Sequence, residues 1–282
     1  MNLSAIITPL LTWYTKEKRD LPWRRSLDPY HIWISEIMLQ QTRVEAVKGY
    51  YTRFISALPD VYALAKVPEQ QLMKLWEGLG YYNRARNLQK AAGQIVDQFD
   101  GKLPADYEKL LTLPGIGPYT AGAIASIAYG LAVPAVDGNV LRVLSRVTAS
   151  YENIAAGKTK RAAEQALLKI MPSGQCGEFN QSLMELGAVV CVPNGPPECV
   201  RCPLADLCKA RAEGIVEELP IKTAKKPRKV ELRTIFVLVC DNRLAIRRRK
   251  SSGLLAGLWE LPSADGTLGG EQAVAQALTV CL

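Results

Sequence analysis

"LLTLPGIGPYTAGAIAS", residues 110–126, holds two apolar stretches apart by a short run of proline and glycine. A helix is expected to end near Thr112, followed by a tight turn over Leu113, Pro114, Gly115, Ile116 and Gly117. Pro118 then opens the next helix, at a position where its missing N–H costs nothing. Gly115 and Gly117 permit backbone angles that other residues resist and put no side chain between the main chain and a partner. The N–H groups at the start of the following helix then face an anion such as a phosphate. Leu113, Gly115, Gly117, Tyr119 and Thr120 are the candidate contacts. An ordinary hairpin of two helices would also use glycines at its turn, but the whole run, continuing into Thr120-Ala121, favours the anion-binding reading. It has the form of a helix–hairpin–helix motif, whose phosphates belong to a DNA backbone.

Outward from this hairpin, the pattern up to about residue 215 is helical. Apolar residues recur at spacings of three and four over 30–55, 69–77, 84–99, 106–111, 119–129, 138–148, 159–170 and 178–190. The 282 residues are 48% hydrophobic, enough for a substantial core in one large domain or two ordinary ones. The most apolar stretch, Ala121 to Val136, is broken by Tyr129, Gly130 and Pro134, so no run is long enough to span a bilayer. In "MNLSAIITPLLTWYTKEKRD" the positive charges follow the apolar run, the wrong polarity for a secretory signal, and a cytoplasmic protein is expected. The net charge of +8 permits a polyanionic partner. His31 is the only histidine, which excludes a zinc site of the HExxH type and leaves a packing or surface role for that ring.

Two carboxylates stand out. Glu36 lies in "YHIWISEIMLQQT" (30–42), on a helix apolar nearly all round. An acid there either pairs with a cation, with Arg24 as the candidate, or is held partly protonated by desolvation and becomes a general acid. Asp137, in "VPAVDGNVLRVLSRV", immediately precedes an amphipathic helix, and taken alone it reads as a helix N-cap. An acid in an apolar helix and a carboxylate at a helix start, beside a phosphate-binding hairpin, together suit glycosidic bond cleavage, in which one group protonates the leaving group and the other stabilises a cationic sugar.

Four of the seven cysteines fall in "CVPNGPPECVRCPLADLC", residues 191–208. A disulfide pair, a zinc ion and an iron–sulfur cluster are all compatible with such a loop, although a reducing cytosol favours metal over disulfides.

Taken together, "LPWR", "WISEIMLQQT", "WEGLGYYNRARNL", "LPGIGPYTAGAIAS", "AVDGNVLRVLSR", "FNQSLMELGAVVC" and the cysteine loop resemble the MutY family of adenine DNA glycosylases, within the endonuclease III superfamily, over residues 5 to 220. The resemblance implies a mostly α, two-lobed helix–hairpin–helix glycosylase fold with an iron–sulfur cluster loop. Its catalytic domain would cover 1–215, with a six-helix lobe at about 25–130 and an iron–sulfur lobe made of 1–24 plus 131–215. It further implies one [4Fe–4S] cluster per chain, held by Cys191, Cys199, Cys202 and Cys208. A single C-x-x-C, rather than the two knuckles of a zinc ribbon, agrees with that. Seven residues separate the first two cysteines where the family pattern has six, and the loop between them has no basic residue, so Arg201 is the candidate substitute for a DNA contact there. Cys176, Cys240 and Cys281 lie outside the set.

By the same resemblance Glu36 protonates a flipped adenine at N7, Asp137 stabilises the oxocarbenium-like sugar, and Asn139 orients groups in that pocket. Gln41, with its neighbour Thr42, and Tyr81 match positions that enter the duplex around the opposing damaged guanine. Arg24 matches a pocket-lining position, and Tyr82 is the core aromatic beside Tyr81. Bifunctional relatives place a lysine where Tyr119 stands, and a tyrosine cannot form a Schiff base. The expected function is therefore a monofunctional adenine DNA glycosylase in base excision repair. It would act as a monomer on double-stranded DNA with adenine opposite 8-oxoguanine or guanine. The runner-up is an endonuclease III-like glycosylase/lyase on oxidised pyrimidines, and a third reading is a non-catalytic DNA-structure-binding protein.

Beyond this, "EELPIKTAKKPRK" (217–229) reads as the body of a basic linker over 216–232. "RTIFVLVCDNRLAIRRRK" (233–250) alternates like two strands joined by a turn at Asp241-Asn242. With "IRRRKSSGLLAGLWELPS", residues 233–282 resemble the start of the α/β, Nudix-like (MutT-like) domain of the same family, in a shortened form without the later Phe-Ser-His hairpin.

Overall fold

The computed structural model describes residues 2–223, 230–250, 253 and 255–281, the side chains of 280 and 281 excepted. The chain divides into two compact units, Met1–Thr223 and Ala224–Leu282. Residues 224–229 of the expected linker and the Cys281 side chain lie outside what is described.

The first unit is built from helices α1 (Ile7–Glu17), α2 (Pro29–Leu39), α3 (Val44–Ala57), α4 (Val61–Lys66), α5 (Glu69–Trp76), α6 (Asn83–Gln98), α7 (Tyr107–Leu111), α8 (Pro118–Tyr129), α9 (Gly138–Thr148), α10 (Gly157–Leu168), α11 (Cys176–Val189) and α12 (Lys209–Ala212). Two apolar cores result. One gathers Trp33, Ile34 and Met38 of α2 with Phe54, Leu64, Trp76, Leu88 and Ile124. The other gathers Ile6 and Leu10 with Val140, Val143, Phe179, Leu183 and Leu186, so the N-terminal helix packs with α9 and α11 from the far end of the unit.

Helix α2 begins where its sequence dictates. Asp28 accepts the Tyr30 N–H at 2.7 Å, and Pro29 occupies the first turn. Being apolar on every face, it is buried on every face, from Tyr30 and Ile32 through Met38. The expected continuous segment 30–55 is two helices. The chain breaks after Leu39, Gln41 takes a left-handed φ of 58°, and α3 starts at Val44. Gln40, Gln41, Thr42 and Arg43 put four polar residues between Leu39 and Val44, so the apolar spacing of three and four lapses at the break, a signal the expected segment passed over. The six-residue α4 was also unforeseen; Asp60 caps it by accepting the Ala63 N–H at 2.8 Å.

Close backbone approaches lock α8, α9 and α11 together. A Cβ on Gly122 would lie 2.4 Å from the Pro134 carbonyl oxygen. One on Gly177 would lie 2.8 Å from Ile127 Cα, and one on Gly187 2.6 Å from Asn139 Cβ. Fully buried Asn180 reinforces this, accepting the Ala135 N–H at 3.1 Å and donating to Ser126 Oγ and the Val133 carbonyl at 2.8 and 2.9 Å. The segment leading to Asp137 is thereby fastened on both sides.

In the second unit, β1 (Arg233–Ile235) pairs antiparallel with β6 (Ser263–Asp265), β2 (Val239–Cys240) with β3 (Arg243–Leu244), and β4 (Arg247–Arg248) with β5 (Trp259–Glu260); helix α13 (Gly270–Cys281) follows. The expected turn at Asp241-Asn242 is present, both residues having positive φ (46° and 60°), as a tight two-residue hairpin requires. The two long strands are instead four short pieces, β1 to β4, because two of them pair with segments after residue 258 rather than with each other. Among the described residues no helix is long and apolar enough to cross a membrane.

Candidate active site

A cavity of about 560 Å³ in the first unit is lined by Glu36, Tyr119, Asp137, Asn139, Arg24 and Glu185, with Gln41 and Thr42 also on its wall. Sequence positions 36 and 137 are thus brought to one space.

Glu36 projects from α2 and is only 7% exposed. Its Oε2 accepts the Tyr119 hydroxyl at 2.7 Å. Burial pushes its carboxyl up to about 7; the Tyr119 hydrogen bond opposes that, and the nearby Asp137 charge adds to it. Arg24 is not its ion-pair partner, so of the two expectations for Glu36 desolvation holds and pairing fails. Tyr119 lies on the first turn of α8 and also reaches Met184 Sδ at 3.6 Å. Its phenol is held well above the ordinary value by burial and by the Glu36 charge.

Asp137 caps α9: Oδ1 accepts the Val140 N–H at 2.8 Å. Its Oδ2 accepts the Asn139 side-chain amide at 2.7 Å. Burial raises its carboxyl, while those two hydrogen bonds oppose the shift. N-cap and pocket group are one residue. Asn139 Oδ1 in turn accepts from Arg142 at 2.8 Å, and Arg142 also donates to the carbonyls of Cys191 and Gly187, each at 2.7 Å. A single buried guanidinium therefore joins Asn139 to the first residue of the cysteine loop.

Arg24 spends its charge on Glu185, at 2.7 Å, while Arg19 binds the same carboxylate at 2.7 and 2.8 Å. Glu185 is fully buried. Burial alone would raise its carboxyl, but the hydrogen bonds of Arg19 and Arg24 hold it down at about 2. Sequence reasoning missed Glu185. The signal was the one that exposed Glu36, an acid set among Leu183, Leu186 and Gly187 on a largely apolar helix.

At the hairpin, Gly115 has φ of 80° and a Cβ there would meet Asn87 Cβ at 2.9 Å. Gly117 is the residue before α8, and space is open around it. The N–H groups of Gly115 and Gly117 make no hydrogen bond among the described residues. Two of the expected contact residues have side chains that turn inward. The Leu113 side chain is buried in the first core. The Thr120 side chain is buried and accepts from Gln40 Nε2 at 3.4 Å. Tyr119 likewise faces the cavity rather than the hairpin's outer surface. Tyr81 is 62% exposed with φ of 48°, and Tyr82 packs on the core. The His31 ring packs beside Tyr30 and Tyr51.

Cys191, Cys199, Cys202 and Cys208 all line one small cavity, and none is in a disulfide. Arg146 donates to Cys191 Sγ at 3.2 Å and to the Val192 and Leu219 carbonyls. Their sulfurs do not converge to metal-binding spacing; among the described residues no group of three or more such side chains does. Four thiols around one cavity, with a guanidinium against one of them, are nonetheless a donor set that fits an iron–sulfur cluster. Arg201, the substitute expected for a basic loop residue, pairs with Glu198 at 2.6 Å. Cys176 is buried, with its thiol 3.2 Å from the Pro172 carbonyl, and Cys240 is exposed.

A helical fold carrying a glycine hairpin, with one buried and one half-buried carboxylate on a single cavity, defines the helix–hairpin–helix class. Residues 34–173 match the HhH-GPD superfamily base excision DNA repair protein, and the chain belongs to that family. Within it, the chain is 38% identical to the human protein named adenine DNA glycosylase, aligned over 93% of this chain and 58% of that one. It is 35% identical to the protein of that name from Buchnera aphidicola subsp. Schizaphis graminum, over 94% of this chain and 76% of the other. The chain thus spans less than two thirds of the human relative's length. Among solved structures, a thermostable thymine-DNA glycosylase superposes with a TM-score of 0.66 at 30% identity, covering 74% of this chain and 96% of its own.

Proposed function

We propose that the protein is a monofunctional DNA N-glycosylase that removes adenine mispaired with 8-oxoguanine or guanine in double-stranded DNA, acting as a monomer. The carrying observation is Glu36. It is a buried carboxyl poised near pH 7, in one cavity with a second carboxylate at a helix start. Glu36 in its neutral form donates a proton to adenine N7, turning the base into a neutral leaving group. Asp137, held by Val140 and Asn139, stabilises the positive charge that develops on the sugar until water completes hydrolysis. Gly115 and Gly117 offer their N–H groups to a backbone phosphate. Gln41, Thr42 and Tyr81 enter the duplex and offset part of the few kcal/mol that base extrusion costs.

The lyase alternative requires an amine in the cavity. The lining has none but the arginines, and Tyr119 occupies the relevant place. A buried acid and a half-buried one on a single cavity, neither in an ion pair, are equally unexpected in a non-catalytic binder. The catalytic domain is proposed as 1–215, with the cavity between a lobe of about 25–130 and one formed by 1–24 plus 131–215. Residues 233–282 are proposed as part of a MutT-like domain. Cys191, Cys199, Cys202 and Cys208 are proposed to hold one [4Fe–4S] cluster, whose contribution when bound is to fix the loop that Arg142 ties to Asn139.

The test is single-turnover excision on duplexes with adenine opposite 8-oxoguanine, guanine and thymine, and on duplexes carrying an oxidised pyrimidine, with borohydride added to trap any Schiff base. Excision opposite the first two, with little trapped adduct, is expected. Cleavage confined to oxidised pyrimidines, or strong trapping, overturns the assignment. Anaerobically purified protein should carry about four irons per chain and absorb in the visible; stoichiometric zinc without iron would refute the cluster.

A further inference from the structure

Gln41 and Tyr81 are both exposed, non-glycine residues in left-handed backbone, with φ of 58° and 48°. Each such conformation is strained for a residue with a Cβ and persists only where the surroundings impose it. The two belong to separate segments, the break after α2 and the Gly78–Tyr82 turn before α6.

One side chain binds both segments. Arg84, in the first turn of α6, donates through one terminal nitrogen to the carbonyls of Ile37, Met38 and Gln40 at 2.8, 3.0 and 2.6 Å. Through the other it donates to the Leu79 and Gly80 carbonyls at 2.9 and 3.2 Å, and to Thr42 Oγ1 at 3.4 Å. The first set caps the exposed carbonyl end of α2, the helix that carries Glu36. The second set holds the turn that carries Tyr81, whose Gly80 carbonyl also accepts from Trp76 Nε1 at 3.1 Å. The guanidinium lies 5.3 Å from the Trp76 ring and 5.6 Å from the Tyr81 ring. None of these partners is a carboxylate, whereas Arg19, Arg24, Arg25 and Arg86 all pair with acids. Its Nε is buried without an acceptor, so its bonding rests on the two terminal nitrogens. A lysine ammonium cannot span both sets, because it is a single point donor rather than a planar fork.

We propose that Arg84 is a positioning residue that fixes the spacing of Gln41 and Tyr81, so that both enter one step of the duplex together while the target base is extruded. This rests on the glycosylase reading above. Arg84 touches neither the base nor the sugar; it acts through the two segments it clamps.

The experiment is a double-mutant cycle in the full chain with its metal loaded, read by single-turnover excision opposite 8-oxoguanine. A parallel reading uses 2-aminopurine in place of the adenine, whose emission rises on unstacking. Arg84→Lys and Tyr81→Ala should each slow excision about tenfold or more, the worth of a lost contact or two. Combined, they should cost little more than either alone, because Arg84→Lys acts on the group that Tyr81→Ala has removed. The same pattern should appear with Gln41→Ala, and each single variant should blunt the 2-aminopurine rise. If Arg84→Lys does not fold, Gly80→Ala strains the same turn at φ of 67° with open space around its Cβ, and it should show the same dependence on Tyr81. Additive losses, or excision that falls while the 2-aminopurine rise is unchanged, would overturn the proposal. Absence of adenine excision by the unmodified protein would instead sink the glycosylase reading, and base extrusion would still report on Arg84 alone.

Discussion

The Tyr119 hydroxyl donates to Glu36 Oε2 at 2.7 Å, joining the first turn of the glycine hairpin's second helix to the middle of α2. The bond favours the ionised carboxylate, while burial favours the acid, and the balance leaves Glu36 at about 7. A group so placed is protonated often enough to donate and gives up its proton readily.

Tyr119→Phe removes the interaction that favours ionisation and keeps the ring. The Glu36 pKa should rise, and because the acid form is the active one, the alkaline fall of the excision rate should move to higher pH. A hydrogen bond to a charged group is worth about 1.5–3 kcal/mol, or roughly one to two pH units. A pH–rate profile of both proteins measures it; an unmoved or acid-shifted limb would show that the bond does not tune the acid.

The same carboxyl sets a pH-dependent cost in stability. Its folded value lies above the ordinary 4.5, so its stabilising protonation is fully present below pH 4.5 and is lost as pH rises through about 7. At pH 8 the penalty for the buried charge is about 3 kcal/mol. Glu36→Gln should therefore gain more thermal stability over the unmodified protein at pH 8 than at pH 5, while excision is lost. Equal gains at both values would place the Glu36 titration elsewhere.

Asp137→Asn separates the cap from the chemistry. Asparagine caps about as well as aspartate, so denaturant unfolding should change by less than about 1 kcal/mol while excision falls by orders of magnitude. A variant that keeps both its stability and its activity would remove Asp137 from the catalytic pair.

Legibility in the sequence followed local chemistry. Pro118, Gly115 and Gly117 announced the hairpin because each answers a backbone demand that its neighbours reveal. Glu36 and Asp137 were readable as an acid in an apolar helix and an acid at a helix start. The break between α2 and α3 left only a weak mark, the polar run Gln40 to Arg43 that sets Leu39 and Val44 five positions apart, and the cap on the helix end comes from the distant Arg84. Glu185 stayed hidden because its partners, Arg19 and Arg24, lie more than 160 positions away. The inward side chains of Leu113 and Thr120 were not readable, because a turn motif does not say which of its side chains join the core.

Glu185 offers the opposite titration to Glu36. Its folded value of about 2 lies below the ordinary 4.5, so its contribution is present above 4.5 and is lost as pH falls through about 2. Glu185→Ala leaves Arg24 with its charge and without its partner, at a cost of about 3 kcal/mol, the lower end for a broken buried pair because Arg19 is a third exposed. Chemical unfolding at pH 7 reads that loss. The difference between variant and parent should narrow near pH 2; a constant gap would mean that Glu185 is not ionised through this pairing.

The missing side chains at Gly122, Gly177 and Gly187 carry a mechanical consequence. Where two helices meet through side chains, rotamer hops let the contact breathe. Here main chain rests on main chain at Pro134 and Ile127, and on the Cβ and Cα of Asn139, atoms that no rotamer change moves. The loop that delivers Asp137 is thus seated on parts that have no rotamers to exchange. The carboxylate at its end should keep its bearing while nearby side chains rearrange around an arriving nucleotide, and the compliance of the site lies in the substrate rather than in its frame.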